Sequence, residues 1–258
     1  MKQFKKLTQD NHHYEINSKL IFGQRARAIC HPSDLSQAFL FSWQMTFGRK
    51  GEHRSTRSGG QLARDHVRKF CDIFLGKLGE VAFFNLCQQR NKSQTISPID
   101  YECYTLGKWD SADFIINDQY HIAIKTTKHF GNLLLLEYKD WCVQQNQAIY
   151  LPNVDAESKG KYDYLFFSRV KTNLSELLKN ISFSHEQSID DIHTLFFNHI
   201  FHKVNVALEV VGYISNQDLV TLMKDDYILP QHAILNGNTV MDAKNYYLQS
   251  GFFKPFFV

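Results

Sequence analysis

The residues whose types and spacing could do chemistry together gather between positions 109 and 128, in WDSADFIINDQYHIAIKTTK. Asp113 stands directly before an apolar run of Phe114, Ile115 and Ile116. A polar turn follows at Asn117, Asp118 and Gln119, and then Tyr120, Ile122 and Ile124 alternate up to Lys125. Apolar run, turn and alternation together spell a β-hairpin. In a paired hairpin the residue that opens the first strand lies beside the end of the second, so Asp113 and Lys125 converge at one sheet edge. A carboxylate next to an ammonium is what metal-assisted hydrolysis uses: the first holds a cation, and the second orients or activates a water. Asp110 competes for the same role, and Asp113 is preferred because it abuts the strand.

The elements that must position this pair lie on both sides of it. Upstream, Leu62, Val67, Phe70, Ile73, Phe74, Leu78, Val81 and Phe84 recur mostly at three- and four-residue steps, which predicts a long helix that Gly76 and Gly79 break into two. Within it, GKLGEVAF sets Glu80 on an apolar segment, where a carboxylate is costly unless it faces solvent or a cation. An earlier helix is expected through Leu35, Phe39, Leu40, Trp43 and Met45, capped by Ser33 or Asp34. Residues 91–108 read as a loop with a strand around 101–104.

Downstream, the apolar run 133–136 predicts a third strand, and YKDWCVQQNQAIYL reads as a helix. YDYLFFSRV (162–170) and 204–214 read as two further strands, rich in aromatic and β-branched residues. Residues 173–203 form a largely helical insertion, and NQDLVTLMKDD a short helix. The expected fold is α/β (α+β), a mixed central sheet flanked by helices. It makes one domain over 1–258, with a core at about 61–215, the insertion at about 173–203 and a C-terminal extension at 216–258.

A chain of 258 residues is long enough to bury a full core. Its net charge of +3 is too small to name a partner, so placement of the charge decides. The densest positive stretch, GRKGEHRSTRSGGQLARDHVRK, holds Arg49, Lys50, Arg54, Arg57, Arg64, Arg68 and Lys69 against only Glu52 and Asp65. Its glycines and hydroxyl residues predict a loop able to follow a phosphate backbone. The five cysteines are widely spaced with no CxxC pair, which suits a reducing, cytoplasmic compartment. No run reaches the roughly 18 apolar residues of a membrane span, so no membrane association is expected. His193, His199 and His202 have the wrong spacing for a zinc protease, and neither a Gly-rich phosphate loop nor a serine nucleophile elbow is spelled.

The conjunction of a G-K-x-G-E helix, an Asp-led strand, an x-x-Lys strand in IKTT, then YDYLFFSRV and VVGYI resembles the PD-(D/E)XK nuclease superfamily, in particular Type II restriction endonucleases. The resemblance covers about residues 49–215 and implies a restriction-endonuclease-like core acting on double-stranded DNA. It implies Asp113 as the bridging ligand of a Mg²⁺ ion, with the carbonyl of Ile124 and Glu80 as further ligands. Lys125 would orient or help deprotonate the attacking water. Mg²⁺ held by carboxylates supplies the activated water and the charge neutralisation that phosphodiester hydrolysis needs. Thr126, Thr127 and Lys128 would touch the scissile phosphate, and Arg49, Lys50, Arg54, Arg57 and Arg64 would contact DNA. Residues 231–244 are a second candidate for base contacts, with a surface loop as their plainer reading. The resemblance also implies a cognate DNA methyltransferase in the same system, and a palindromic target would suit a homodimer.

One position departs from the family pattern. The acid expected two residues before the lysine is Ala123. A methyl cannot bind a cation. Ala123 therefore marks a catalytic residue replaced to disarm the enzyme, a natural non-catalytic DNA-binding protein, or a site whose ligand comes from elsewhere, such as Glu80 or Glu137. The first is favoured because one change, to HI(E/D)IKTT, completes the motif. A nuclease for branched or single-stranded DNA in recombination remains a further alternative.

Overall fold

The computed structural model describes residues 4–20, 26–48, 65–90, 94–103, 112–156, 158–178, 181–201 and 206–256. In chain order it contains β1 (Thr8–Asp10), β2 (His13–Glu15), β3 (Ala26–Ala28), α1 (Pro32–Thr46), α2 (His66–Arg90), β4 (Phe114–Ile116), β5 (Tyr120–Thr127) and β6 (Leu133–Glu137). There follow β7 (Trp141–Gln144), β8 (Gln147–Tyr150), β9 (Tyr164–Val170), α3 (Leu174–Leu178), α4 (Ile189–Phe196), β10 (Leu208–Ser215) and α5 (Asn216–Lys224). Four strands close the chain: β11 (Ile228–Leu229), β12 (Ile234–Leu235), β13 (Thr239–Val240) and β14 (Asn245–Gln249). The class is α+β, with several sheets.

The central sheet has five strands in the order β3-β10-β9-β5-β4. Strands β5 and β9 run parallel, and the other neighbours are antiparallel. Alternation along β5 sends its side chains to two different cores. Ile122 and Ile124 join the cluster under α1 and α2, with Phe114, Phe166, Val170 and Val210. Ala123 joins the cluster on the other face, with Tyr150, Tyr162, Leu165, Phe167 and Val211. That second core also takes in β6, β14 and α5, so residues 216–256 are part of the packed body. A parallel β2–β12 pairing ties the beginning of the chain to its end.

Helix α2 is one uninterrupted element of 25 residues. The expected break at Gly76 and Gly79 does not occur. A glycine inside a helix costs about 1 kcal/mol against alanine, less than the gain from the apolar face this helix buries. Gly79 has a packing reason: a Cβ there would collide with the Thr126 side chain, so its absence lets α2 lie directly on β5.

The helix expected over YKDWCVQQNQAIYL is also corrected. Residues Tyr138–Asp140 form a single 3-10 turn, and β7 and β8 then pair as a hairpin. Gln145 and Asn146 take left-handed φ angles of 47° and 60°, which match the twist of a two-residue hairpin turn. Near the expected strand at 101–104, residues 94–103 contribute one isolated bridge, Ile96 to Ile116, and position 104 lies outside the described residues. Helix α1 starts at Pro32, one residue earlier than Ser33. Asp34 acts at its N-terminus by accepting the backbone N–H of His31 at 3.3 Å.

Candidate active site

The hairpin at 114–127 forms as its sequence predicts. Phe114, Ile115 and Ile116 pair with Ile122, His121 and Tyr120, and Asn117 and Asp118 turn the chain with φ near 52°. The ladder ends at Phe114 opposite Ile122, with Asp113 beside residues 122–124, where Ala123 turns its methyl to the face opposite Ile122 and Ile124. Lys125, two residues further on, shares that face. The position where the resemblance expects an acid therefore lies two residues before the ammonium on one strand face, and Ala123 there is 2 % exposed.

Asp113 does more than lead the strand. Its backbone N–H donates to Ile122 O at 3.0 Å, and its carboxylate Oδ2 accepts the N–H of Ile124 at 2.6 Å. Residue 124 would ordinarily bond to the main chain of the neighbouring strand; here an aspartate side chain takes that place. The N–H and C=O of one strand residue point to the same neighbour. The carbonyl of Ile124 consequently faces the Asp113 side, which puts two hard oxygen donors at one edge.

Glu80, the acid the resemblance adds, stands on α2. Its side chain is 15 % exposed and receives Lys77 Nζ at 2.7 Å. Lys77 is itself held by the carbonyl of Asp100 at 2.7 Å and lies over the ring of Phe41 at 4.5 Å. Burial pushes the Glu80 carboxyl up to about 8; Lys77 pulls it down, and the negative charge of Asp113 pushes it further up. Burial and the Asp113 charge together favour the protonated form of Glu80. Asp113 also helps burial raise the Tyr162 hydroxyl well above its usual range.

Lys125 is half-buried, with Nζ 5.4 Å from the centre of the Tyr150 ring. Tyr150, Trp141 and Tyr162 form an aromatic wall, with ring centres 5.0 to 6.1 Å apart. Such a wall lowers the local dielectric around the ammonium and strengthens its interactions with any anion that enters. The wall belongs to the β7–β8 hairpin and a residue shortly before β9, which the helical reading of 138–151 had hidden.

The other expected site residues fall in different places. Thr126 points to the α2 face, where it packs on Gly79 and its Oγ1 is buried without a hydrogen-bond partner among the described residues. Its contact is with the helix, not with the Lys125 face. Thr127 returns to the Lys125 face, and Lys128 is exposed at the strand end. Arg49, Lys50, Arg54, Arg57 and Arg64, together with Asp110 and His202, lie outside the described residues. Residues 231–244 form the β12–β13 pair, with Gln231 donating to Asp242 O at 3.1 Å. Glu137 is buried on β6 with Lys139 Nζ 2.8 Å from its Oε1, so its charge is already partnered.

Among the described residues, no group of three or more His, Cys, Asp or Glu side chains gathers where one ion could bind them all. Asp113, Glu80 and the Ile124 carbonyl are the donors that could hold a cation. All are hard oxygens, and two carboxylates supplemented by water and phosphate are the usual set for Mg²⁺. A bound cation would favour the ionised form of Glu80 against the burial that raises it. Searches against family models, curated proteins and solved structures found no match.

Proposed function

We propose that the chain is a Mg²⁺-dependent endonuclease of double-stranded DNA, built on a restriction-endonuclease-like core and lacking one of its two strand carboxylates. The supporting observation is the β4–β5 hairpin: Asp113 directly before β4, its carboxylate bonded to the Ile124 amide at 2.6 Å, and Ala123 and Lys125 on either side of Ile124 along β5. That is the D-to-x-x-K arrangement of the PD-(D/E)XK superfamily. A single methyl stands where its acid would be.

In this reading Asp113, Glu80 and the Ile124 carbonyl bind the cation, and the ion supplies a Lewis acid and an activated water at neutral pH. Lys125 holds the water or the scissile phosphate oxygen against the aromatic wall, which keeps bulk solvent away. Thr127 and Lys128 extend the contact along the backbone. Lys77 fixes Glu80 in place and balances part of its charge.

The experiment compares the chain with Ala123→Glu and Ala123→Asp on plasmid DNA that contains many sequence contexts, over a range of Mg²⁺ concentrations. Discrete fragments from an acidic variant alone would make Ala123 a vacant ligand position. Cutting by the parent would move the search to Glu80. A parent and variants that fold, bind Mg²⁺ and never cut DNA would defeat the nuclease reading.

The second reading is a DNA-binding protein without catalysis. Ala123 itself favours it, together with the lack of a three-ligand cluster among the described residues. It expects tight duplex binding that neither Mg²⁺ nor an acid at 123 converts to cleavage.

A further inference from the structure

Just past Lys125 the chain makes a tight turn whose tip is an exposed aromatic ring. Gly131 N–H donates to Lys128 O at 2.8 Å, so Lys128–Gly131 is a β-turn with His129 and Phe130 at its corners. Phe130 is 69 % exposed, more than any other large hydrophobic side chain among the described residues. An isolated exposed phenylalanine is common and by itself means little. What surrounds this one is unusual.

The turn is clamped from beneath by buried charge. Arg169 and Glu209 face each other across β9 and β10, with side chains 3 % and 4 % exposed, and Arg169 Nε and Nη2 donate to Glu209 Oε2 at 3.0 and 2.8 Å. The remaining arm of the guanidinium reaches out of the sheet. Its Nη1 donates to Asn132 Oδ1 at 3.1 Å and to Gly131 O at 3.4 Å. Ser250 N–H donates to Asn132 O at 2.8 Å from the other side. Gly131 itself sits so close to Thr127 that a Cβ would collide with the hydroxyl. Burying an ion pair costs several kcal/mol per ion unless it is fully hydrogen-bonded, and a hydrophobic pair would serve the sheet as well. The part of this pair that an apolar substitute could not reproduce is its hold on residues 131 and 132.

We propose that the Lys128–Gly131 turn is a DNA wedge: Phe130 stacks on a base or inserts at a base step, while Lys128 rests on a flanking phosphate. This rests on the nuclease reading of the Lys125 face. Three residue steps lead from Lys125 to Lys128, roughly 10 Å, and the turn adds a few more, so the ring reaches DNA about four base steps from a phosphate held by Lys125. A rigid mount is what such a role requires, because a ring that inserts must not lose its own order on binding. His129 stands edge-on to Phe130 with ring centres 4.9 Å apart and fixes its orientation.

The test measures equilibrium binding of sheared duplex DNA, without divalent cation, across a salt series for the parent, Phe130→Ala, Phe130→Trp and Lys128→Ala. Phe130→Ala should weaken binding about ten- to a hundredfold with the salt slope unchanged, because stacking carries no charge. Phe130→Trp should keep affinity, and its added emission should be quenched by DNA. Lys128→Ala should lower the slope by about one phosphate equivalent. All variants lie at exposed positions and should keep the parent melting temperature. Parental affinity in Phe130→Ala, or an indole emission in Phe130→Trp that ignores bound DNA, overturns the wedge and leaves the nuclease reading standing. A parent that binds no DNA at low salt overturns both.

Discussion

The two faces of the central sheet are built from different chemistry. Toward α2, β5, β9 and β4 present Ile122, Ile124, Phe166 and Phe114 to a helix that answers with Phe70, Phe74, Leu78 and Phe83. Toward the opposite side β5 and β9 present Ala123, Lys125, Thr127 and Arg169 together with Leu165 and Phe167, beside tyrosines and a tryptophan. The first face gains its stability from apolar area and aromatic packing. The second has an apolar core of its own, with Leu165, Phe167 and Val211, and adds charge to it: the buried Arg169–Glu209 pair and the half-buried Lys125. One strand, β5, serves both faces because its side chains alternate.

The largest expected effect tests that division directly. In an Ala123→Glu background that cuts DNA, Lys125→Ala should slow cleavage by about a hundred- to ten-thousandfold while the melting temperature stays within a few degrees. A large loss of stability with it would place Lys125 among the structural residues and break the contrast. On the helix face the reverse should hold. Phe83 is fully buried against Phe114, Phe166 and Phe256, with ring centres 5.2, 4.6 and 5.7 Å away. Phe83→Ala should cost about 3 to 5 kcal/mol, read by denaturant titration, with DNA affinity of the folded fraction unchanged.

Arg169 is where the contrast is sharpened, because it is on the polar face and yet fully buried. Arg169→Met leaves Glu209 charged without its partner and should cost about 3 to 5 kcal/mol. Arg169→Met with Glu209→Leu should recover most of that loss in chemical denaturation, as neither charge is left stranded. If the wedge reading holds, the double variant should still bind DNA more weakly than the parent, since the Arg169 donors to Gly131 O and Asn132 Oδ1 are lost and only Ser250 remains on Asn132. Full recovery of both stability and binding would reduce the pair to a dispensable part of the sheet.

How far the sequence revealed these faces depended on how local the determining interactions are. The β4–β5 hairpin was legible because its alternation and its Asn-Asp turn lie within about fourteen residues, and with it came the placement of Asp113, Ala123 and Lys125. The β7–β8 hairpin was not. Gln145 is a poor turn residue for a left-handed φ, and Tyr138, Trp141 and Cys142 happen to fall at helical spacing. Glycine at 79 was read as a breaker, whereas its role is set by Thr126 on another element and could not be seen locally. The clamp on the Phe130 turn joins residues 131, 132, 169, 209 and 250, and the β2–β12 pairing spans most of the chain. Such long-range contacts leave little trace in periodicity. Strand β14 is buried on both faces and so shows no alternation.

The smallest expected effect concerns Glu80 of α2, paired with Lys77 on the same helix. Its carboxyl is raised from 4.5 to about 8 in the folded chain, chiefly by burial. A raised acid binds its proton more tightly folded than unfolded, so its contribution to stability is complete below about pH 4.5 and is lost as pH climbs toward 8. Glu80→Gln carries no charge at any pH. The parent should therefore lose stability relative to Glu80→Gln between pH 5 and 8, by up to a few kcal/mol on the scale of about 1.4 per pKa unit, seen as a melting temperature several degrees lower at pH 8. Millimolar Mg²⁺ favours the ionised form and should restore part of the loss at pH 8 in the parent but not in Glu80→Gln. If the two chains instead track each other from pH 5 to 8, Lys77 is holding Glu80 ionised throughout, and the pair belongs to the structural side of the molecule. If they diverge but Mg²⁺ has no effect, Glu80 is a buried acid that binds no cation, and the proposed role of Glu80 as a ligand fails.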